Sequence, residues 1–181
     1  RLILMLFISI FSFGASQNER KIAREGNKYY TDSLFLDSEV YYRKSLSKNK
    51  SFDEVKFNLS DALFKQDRYD ESISLLHDII NSTADSVLKS ESYYNIGNNF
   101  LKQQKLEEAI DSYKDCLRIN PNDEEARYNL SKSMSLLNKQ NENNKKDESE
   151  NKDENKDQNS GDTDGEDEDD DDKKNKNNKK D

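Results

Sequence analysis

Several residue types that proteins use for chemical or covalent sites are scarce in this 181-residue chain. It contains one Cys, one His, one Pro and no Trp. One Cys cannot form a disulfide within the chain, and one His leaves no second imidazole for a His-based metal site or a His-dependent catalytic pair. No phosphate-cradling Gly loop is present either. The sequence therefore predicts a protein that is not an enzyme and has no cofactor, resident metal or small-molecule substrate.

An apolar run lies at the start of the chain. It extends from Leu2 to Phe13, after the basic Arg1, and is followed by the small residues Gly14, Ala15 and Ser16. A membrane-spanning helix needs about 20 apolar residues, which is more than this run offers. Residues 1–16 are therefore predicted to be a signal peptide, and the protein to be periplasmic or otherwise exported. The alternative is an N-terminal membrane anchor.

The other end of the chain is almost entirely polar. Residues 141–181 contain no aliphatic, aromatic or sulfur-bearing residue, and they hold 17 Asp and Glu against 9 Lys, so that they carry −8 of the net charge of −9. Such a segment cannot form a core, so we predict a disordered tail. Its charge repels phosphate, and the middle of the chain has no clustered basic stripe. Nucleic acid is therefore not expected as a partner.

The middle of the chain, residues 17–140, is repetitive. The small residues Gly26, Ser60, Gly97 and Ser131 recur in one local pattern, at intervals of 34, 37 and 34 residues. A period of this length is typical of stacked helical repeats. It predicts repeats over 19–52, 53–86 and 90–123, with a closing helix over 124–139. Three additional residues, 87–89, are expected to lengthen the connection before the third repeat.

Apolar residues in the third repeat recur in steps of three and four on either side of the polar turn around Gln103. This spacing puts them on one face of each of two helices. Two antiparallel helices approach closely where one of them has a small side chain, so the four small residues are predicted to be the contact points. The predicted fold class is all-α, with helix pairs stacked as a short solenoid.

The third repeat, SESYYNIGNNFLKQQKLEEAIDSYKDCLRINPND, resembles the tetratricopeptide repeat family, and the first and second repeats follow the same pattern. The resemblance implies three repeats and a C-terminal capping helix, which together form a concave groove for partner proteins. In this family the first helix of each repeat lines the groove. Counting from the small residues then predicts these partner-binding positions: Arg24, Asn27, Asn58, Asp61, Asn95, Asn98 and Asn129.

Asn58, Asn95 and Asn129 lie in register, and we call them the Asn ladder. An amide side chain can donate a hydrogen bond to a peptide backbone and accept one from it, so the ladder suits an extended partner chain. The alternative is that these residues are only tolerated, solvent-facing helix residues.

A well-known binding mode of the family grips a C-terminal carboxylate with paired basic and Asn side chains. This chain keeps Asn27 and Asn58, but it has Ala23, Glu91 and Asn95 where that grip uses Lys, Lys and Arg. The resemblance therefore predicts a groove that does not bind carboxylates in this way.

The order of the parts is similar to that of the BatC-type proteins of bacterial aerotolerance operons, which are exported repeat proteins. That resemblance implies a scaffold of the cell envelope whose partners are membrane proteins with von Willebrand factor A domains, in an aerotolerance or oxidative-stress complex. The rival hypothesis is an electrostatic or divalent-cation-binding module in which the acidic tail is the active part. Within that tail, the range 160–171 partly imitates a calcium loop, but it lacks the usual first Asp and flanking helices.

Overall fold

The computed structural model of the protein describes the backbone of residues 18–157 and the side chains of residues 18–144. Helix α1 covers residues 18–31. The remaining helices in chain order are α2 (Phe35–Leu46), α3 (Asp53–Phe64), α4 (Tyr69–Ser82), α5 (Ser86–Lys102), α6 (Leu106–Ile119) and α7 (Glu124–Asp157). The described range contains no β-strand. The predicted all-α class is therefore confirmed.

Neighbouring helices pack in sequence order, as expected of a solenoid. α2 packs on α3, α3 on α4, α4 on α5, and α5 on α6. One buried apolar cluster, with Ala23, Tyr42 and Leu63 among its members, joins the first and second helix pairs. Another, with Leu76 and Ile96, joins the second pair to the third. Each pair thus buries its apolar face against its neighbours in the stack, as in other repeat arrays.

The two glycines in the repeat pattern are points of close helix contact, as predicted. Gly26 and Gly97 are buried. A Cβ atom built on Gly26 would lie 2.6 Å from a ring carbon of Tyr42, and one on Gly97 would lie 2.5 Å from the same atom of Tyr113. In both repeats a tyrosine ring of the second helix therefore occupies the space that a glycine of the first helix leaves open.

Ser60 is also buried, but Ser131 is exposed, so the prediction that all four small residues are contact points is wrong for Ser131. Ser131 lies in α7, and no further helix follows α7 within the described range. The residue keeps the spacing of the repeat but has no second helix to pack against.

The first helix of every repeat ends in the same turn. Ser33, Asp67 and Gln104 occupy equivalent positions and have φ values of 59°, 60° and 59°. The next residue donates its backbone N–H five residues back in each case, as Lys105 does to the carbonyl of Phe100 at 3.0 Å. This is the Schellman arrangement, in which the left-handed residue is usually glycine. None of the three repeats has glycine there.

Replacing Gln104 by Gly is expected to raise the free energy of unfolding by about 0.5–1 kcal/mol. The left-handed conformation costs a non-glycine residue about 1–2 kcal/mol, and the greater freedom of glycine in the unfolded chain offsets part of the gain. Thermal or urea unfolding measures the change. Lys102→Gly is the control, because Lys102 is the exposed last residue of α5. Glycine relieves no left-handed strain there and should cost up to about 1 kcal/mol. A loss of stability in Gln104→Gly would contradict the prediction.

The three additional residues 87–89 lengthen a helix and not a connection, so that prediction is corrected. α5 has 17 residues and α3 has 12, whereas only residues 83–85 separate α4 from α5. The reason is an early helix start, since the Asp85 carboxylate accepts hydrogen bonds from the backbone N–H groups of Val87 (2.8 Å) and Leu88 (3.4 Å). Leu88 then packs against the second apolar cluster.

The closing helix is longer than predicted. α7 continues past residue 139 to Asp157, so the first part of the range predicted to be disordered is helical. No Gly or Pro occurs between residues 122 and 160, and the sequence therefore lacks the two strongest helix breakers there. The start of α7 agrees with expectation, because Asp123 caps it by accepting the backbone N–H of Ala126 at 2.9 Å.

The chain divides into two compact units between Gln140 and Asn141. Residues 141–144, at the start of the second unit, are exposed. None of the helices between residues 18 and 157 combines the length and the apolar character that crossing a bilayer requires. The predicted signal peptide, residues 1–16, and the calcium-like range 160–171 lie outside the described residues.

Candidate functional site

The predicted groove residues lie on the first helices of successive repeats, and six of the seven form three pairs across the repeat boundaries. Asn58 Nδ2 donates to Asn27 Oδ1 at 3.1 Å. Asn95 Nδ2 donates to Asp61 Oδ1 at 2.8 Å, and Asn129 Nδ2 donates to Asn98 Oδ1 at 3.1 Å. Each member of the Asn ladder therefore links its own helix to the first helix of the repeat before it.

These pairs change what the Asn ladder can offer a partner. Asn58, Asn95 and Asn129 are half-buried, and each uses its amide nitrogen within the protein. The ladder is thus neither a row of solvent-facing residues nor a row of fully available amides. Each amide nitrogen has two N–H groups, so Asn58 and Asn95 each keep one donor besides the carbonyl oxygen, whereas Asn129 contacts both Asn98 and Tyr94 with its nitrogen.

Arg24 differs from the other predicted groove residues. It lies in α1 at the position that the ladder residues occupy in later helices. It is exposed, whereas the ladder residues are partly covered. The described range has no repeat before α1 that could supply an acceptor, so Arg24 is the one predicted groove residue outside the three pairs.

Two tyrosines belong to the site, although the groove positions predicted from the sequence did not include them. The Tyr42 hydroxyl donates to Asn27 Oδ1, and the Tyr113 hydroxyl donates to Asn98 Oδ1, both at 2.8 Å. These are the rings that cover Gly26 and Gly97. The available signal was the recurrence of tyrosine at the same distance after each glycine. This recurrence by itself indicates core packing, because the sequence does not reveal that the tyrosine hydroxyl reaches the groove.

Asp61 breaks the chemical pattern of the groove. It occupies the position that Asn27 and Asn98 hold in the other repeats, and it is half-buried. Burial raises the pKa of its carboxyl group to about 6; Lys65 opposes the shift and Glu91 adds to it. A carboxylate is therefore kept in the groove at a position where its environment disfavours the charge.

Asp61 also lines a small cavity in the groove between α1, α2 and α3. The cavity has a volume of about 190 Å³, and its walls are Asn27, Tyr30, Thr31, Tyr42, Asn58 and Asp61. Burial, followed by the charge of Asp61, raises the pKa of the Tyr30 hydroxyl. The cavity thus combines aromatic walls with an acidic group.

The third repeat continues the groove with a hydrogen-bonded edge. The Tyr94 hydroxyl donates to Glu125 Oε2 at 3.0 Å, and Asn129 Nδ2 lies 3.3 Å from the same hydroxyl oxygen.

Glu91, which replaces a basic residue of the carboxylate-gripping mode, is exposed, while Ala23 is buried. The structure therefore has no basic side chain at these two positions.

Reactive chemistry has little support in the described part of the chain. Cys116 is fully buried, and burial raises the pKa of its thiol to about 11. Such a thiol is protonated at neutral pH and is a poor nucleophile, as expected of a residue that fills the core. Residues 18–144 contain no group of three or more His, Cys, Asp or Glu side chains that could hold a metal ion.

Comparison with known families identifies the repeat. A family model described as "Tetratricopeptide repeat" matches residues 90–123, the range predicted for the third repeat. The chain contains a tetratricopeptide repeat. Over residues 18–140 the stacking of the helices matches the helical solenoid of tetratricopeptide-repeat proteins, and such domains serve protein–protein interaction.

The relatives with solved structures share this fold. The first tetratricopeptide-repeat domain of Spaghetti (RPAP3), bound to the HSP90 peptide SRMEEVD, matches with a TM-score of 0.60 and 24% identity, covering 67% of this chain and 94% of that one. The TPR2AB domain of yeast Sti1, in a complex with pHSP90, matches with a TM-score of 0.64 and 24% identity, covering 70% and 50%. At this identity the likeness establishes the fold alone.

A curated relative is also similar to part of this chain. The peptidyl-prolyl cis-trans isomerase CYP7 of Saccharomyces cerevisiae is 28% identical over 132 residues, which cover 62% of this chain and 34% of that protein. The chain therefore spans about a third of the length of this relative. The match is partial, and the tetratricopeptide repeat is a non-catalytic interaction domain.

Proposed function

We propose that residues 17–140 are a non-enzymatic scaffold that binds extended segments of partner proteins in the concave groove. The observation that carries the proposal is the set of three hydrogen-bonded pairs, which hold groove residues of successive repeats in one register. A polar groove with a regular register can follow the backbone of an extended chain. The solved structures of similar fold bound to an HSP90 peptide support the same use of the groove.

The mode of binding should differ from a grip on a free C-terminus. Asp61 and the exposed Glu91 put negative charge in and beside the groove, and a carboxylate ligand would be repelled by it. We expect the peptide SRMEEVD, which is bound by Spaghetti (RPAP3), to show no large difference in affinity between its free-acid and amidated forms. Isothermal titration calorimetry measures both, and a strong preference for the free acid would contradict this mode.

Two variants separate the groove from the acidic tail as the partner-binding part. Deleting residues 141–181 should leave capture of a partner intact, whereas Asn58→Ala, Asn95→Ala and Asn129→Ala together should abolish it. The matched control is an Ala triple at Ser74, His77 and Asp78, which are exposed on α4. Circular dichroism and melting curves check that all variants are folded, because the Asn substitutions also remove contacts between repeats. The reverse pattern would favour the electrostatic or cation-binding module.

We further propose that the partners are envelope proteins with von Willebrand factor A domains and that the protein is exported, in an aerotolerance or oxidative-stress complex. The support is the order of a signal-like segment, the repeats and an acidic tail. Crosslinking in intact cells, followed by pull-down and mass spectrometry, should recover such membrane proteins. Their absence would remove this part of the proposal, and an uncleaved N-terminus in the recovered protein would favour the membrane anchor.

A further inference from the structure

We propose that the cavity at Asp61 accepts the cationic side chain of a lysine or arginine from an extended partner segment. This inference rests on the proposed function, because it names the chemistry by which the groove would select a partner. The occupant is inferred from the charge and the hydrogen-bonding groups of the cavity walls.

The cavity walls already form three hydrogen bonds within the protein. Asn27 Oδ1 accepts two of them, from Asn58 Nδ2 and from the Tyr42 hydroxyl. The Thr31 hydroxyl donates to the backbone carbonyl of Asn27 at 3.0 Å. These bonds use the Tyr42 and Thr31 hydroxyls and one of the two N–H groups of Asn58, so the walls keep amide donors as well as acceptors. The acceptors that remain for a ligand include the carbonyl oxygen of Asn58.

The Asp61 carboxylate uses one of its two oxygens within the protein. Asp61 Oδ1 accepts the hydrogen bond from Asn95 Nδ2, and no residue between 18 and 144 donates a hydrogen bond to Oδ2. A ligand with several N–H donors and a positive charge would satisfy this oxygen, whereas an anion would be repelled by it. Lysine and arginine are the side chains with those properties.

The size and the walls of the cavity also suit a long cationic side chain. A volume of about 190 Å³ equals that of roughly six liquid waters at about 30 Å³ each, which is enough for a long side chain with some of its hydration. Tyr30 and Tyr42 both line the cavity, but Tyr42 is only 1% exposed. The Tyr30 ring is therefore the one that can attract a cation and pack against the methylene stem of lysine. The cavity is therefore suited to both ends of such a side chain.

The comparison between repeats points in the same direction. Asn27 and Asn98 accept a ladder amide with an uncharged oxygen, so the repeat architecture does not require a carboxylate at position 61. The Asp61→Asn variant keeps an oxygen that can accept from Asn95, and it reproduces the residue of the other two repeats. It should fold like the wild type, and removing a half-buried charge should not lower its stability.

The test uses the full chain and two capped peptides, acetyl-Ser-Gly-Lys-Gly-Ser-amide and the same peptide with norleucine in place of lysine. Titrations followed by two-dimensional NMR should show the lysine peptide shifting the side-chain signals of Asn27 and Asn58. Its affinity should exceed that of the norleucine peptide by about tenfold, the range expected for one hydrogen bond to a charged group. Asp61→Asn should abolish the difference. Asp78→Asn removes the same charge from an exposed site on α4, and it should leave the difference intact.

Acidification gives an independent readout. Because burial raises the pKa of Asp61 to about 6, lowering the pH from about 7.5 to about 5 should neutralise the group and weaken binding of the lysine peptide. The charged and titratable groups that face Asp61 are Lys65, Glu91, Tyr30 and Tyr42. The pH dependence should disappear in Asp61→Asn, where no carboxylate titrates at this position.

The outcomes separate the two proposals. If both peptides shift groove signals equally, or if Asp61→Asn binds the lysine peptide as the wild type does, the groove still binds peptides but the cationic pocket is refuted. If neither peptide shifts any groove signal while the protein is folded, both the pocket and its premise of peptide binding in the groove are refuted.

Discussion

Replacing Gly97 by Ala should lower the free energy of unfolding by about 1–3 kcal/mol, although alanine is the better helix former by about 1 kcal/mol. The new Cβ would lie 2.5 Å from a ring carbon of Tyr113. Tyr113 is fully buried, and its hydroxyl is tied to Asn98 Oδ1, so the ring cannot easily move aside. Gly97→Leu should cost more, at about 3 kcal/mol or above. Urea unfolding monitored by circular dichroism measures both changes.

The second repeat supplies the control for this prediction. There the small residue is Ser60 and the residue equivalent to Tyr113 is Leu76, and both are buried. Ser60→Ala should be close to neutral, because a Cβ is already accommodated at that position. Combining Gly97→Ser with Tyr113→Leu copies this pair into the third repeat, and it should recover part of the stability that Gly97→Ser alone loses. Equal loss in the single and double variants would show that the tyrosine ring is not the obstacle.

Replacing Arg68 by Met should lower the free energy of unfolding by about 2 kcal/mol, a value between those of exposed and buried ion pairs. Arg68 donates to Glu39 Oε2 at 2.5 Å and, with two nitrogens at 2.7 Å, to both carboxylate oxygens of Glu71. It thereby joins the second helix of the first repeat to the second helix of the next. The Glu39 side chain is only 11% exposed. Arg43 still pairs with Glu39 Oε1 in the variant, but losing Arg68 leaves Oε2 of this poorly hydrated carboxylate without its charged partner.

The effect of Arg68→Met should depend on pH. Burial alone would raise the pKa of Glu39, but hydrogen bonds from Arg43, Gln66 and Arg68 outweigh it and the pKa is lowered. A carboxyl group whose pKa is lower in the folded state stabilises the protein above its unfolded pKa, and this stabilisation is lost as the pH falls through the folded pKa. The difference between wild type and variant should therefore be full at pH 7 and shrink below the ordinary glutamate pKa of about 4.5.

A matched substitution separates this ion pair from a surface one. Arg118 pairs with Asp115, but its side chain is 74% exposed, and Arg118→Met should cost less than about 0.5 kcal/mol. If Arg68→Met costs no more than that, the link between the second helices contributes little to stability. A pH-independent loss would show that the effect comes from the side chain's packing and not from its charge.

Most of the helical architecture followed from the sequence. The spacing of Gly26, Ser60 and Gly97 predicted the repeats, the turn around Gln103 separates α5 from α6, and the closing helix begins at Glu124 as predicted. The additional residues 87–89 were misassigned to a connection, because a cap at Asp85 and a core position at Leu88 decide where α5 begins. The Asp85 cap is a local signal that the repeat spacing does not use, whereas the packing of Leu88 depends on neighbouring helices, which a local pattern does not contain.

The candidate site was predicted in part. The register placed Asn58, Asn95 and Asn129 on one line, and the structure joins each of them to a residue of the preceding repeat. The hydroxyls of Tyr42 and Tyr113 were missed, because the sequence indicates that these tyrosines are core residues but does not indicate which group their hydroxyls contact. Whether these residues bind a partner stays a prediction.

The sequence by itself determined the number, order and register of the helices, since these follow from spacings within single repeats. Only the tertiary structure decided which groups in the groove are already occupied and which are available to a ligand. The three cross-repeat pairs join residues more than 30 positions apart. The acidity of Asp61 likewise arises from its burial. Hydrogen-bond satisfaction and desolvation depend on distances between repeats, and those distances exist only after the helices have packed.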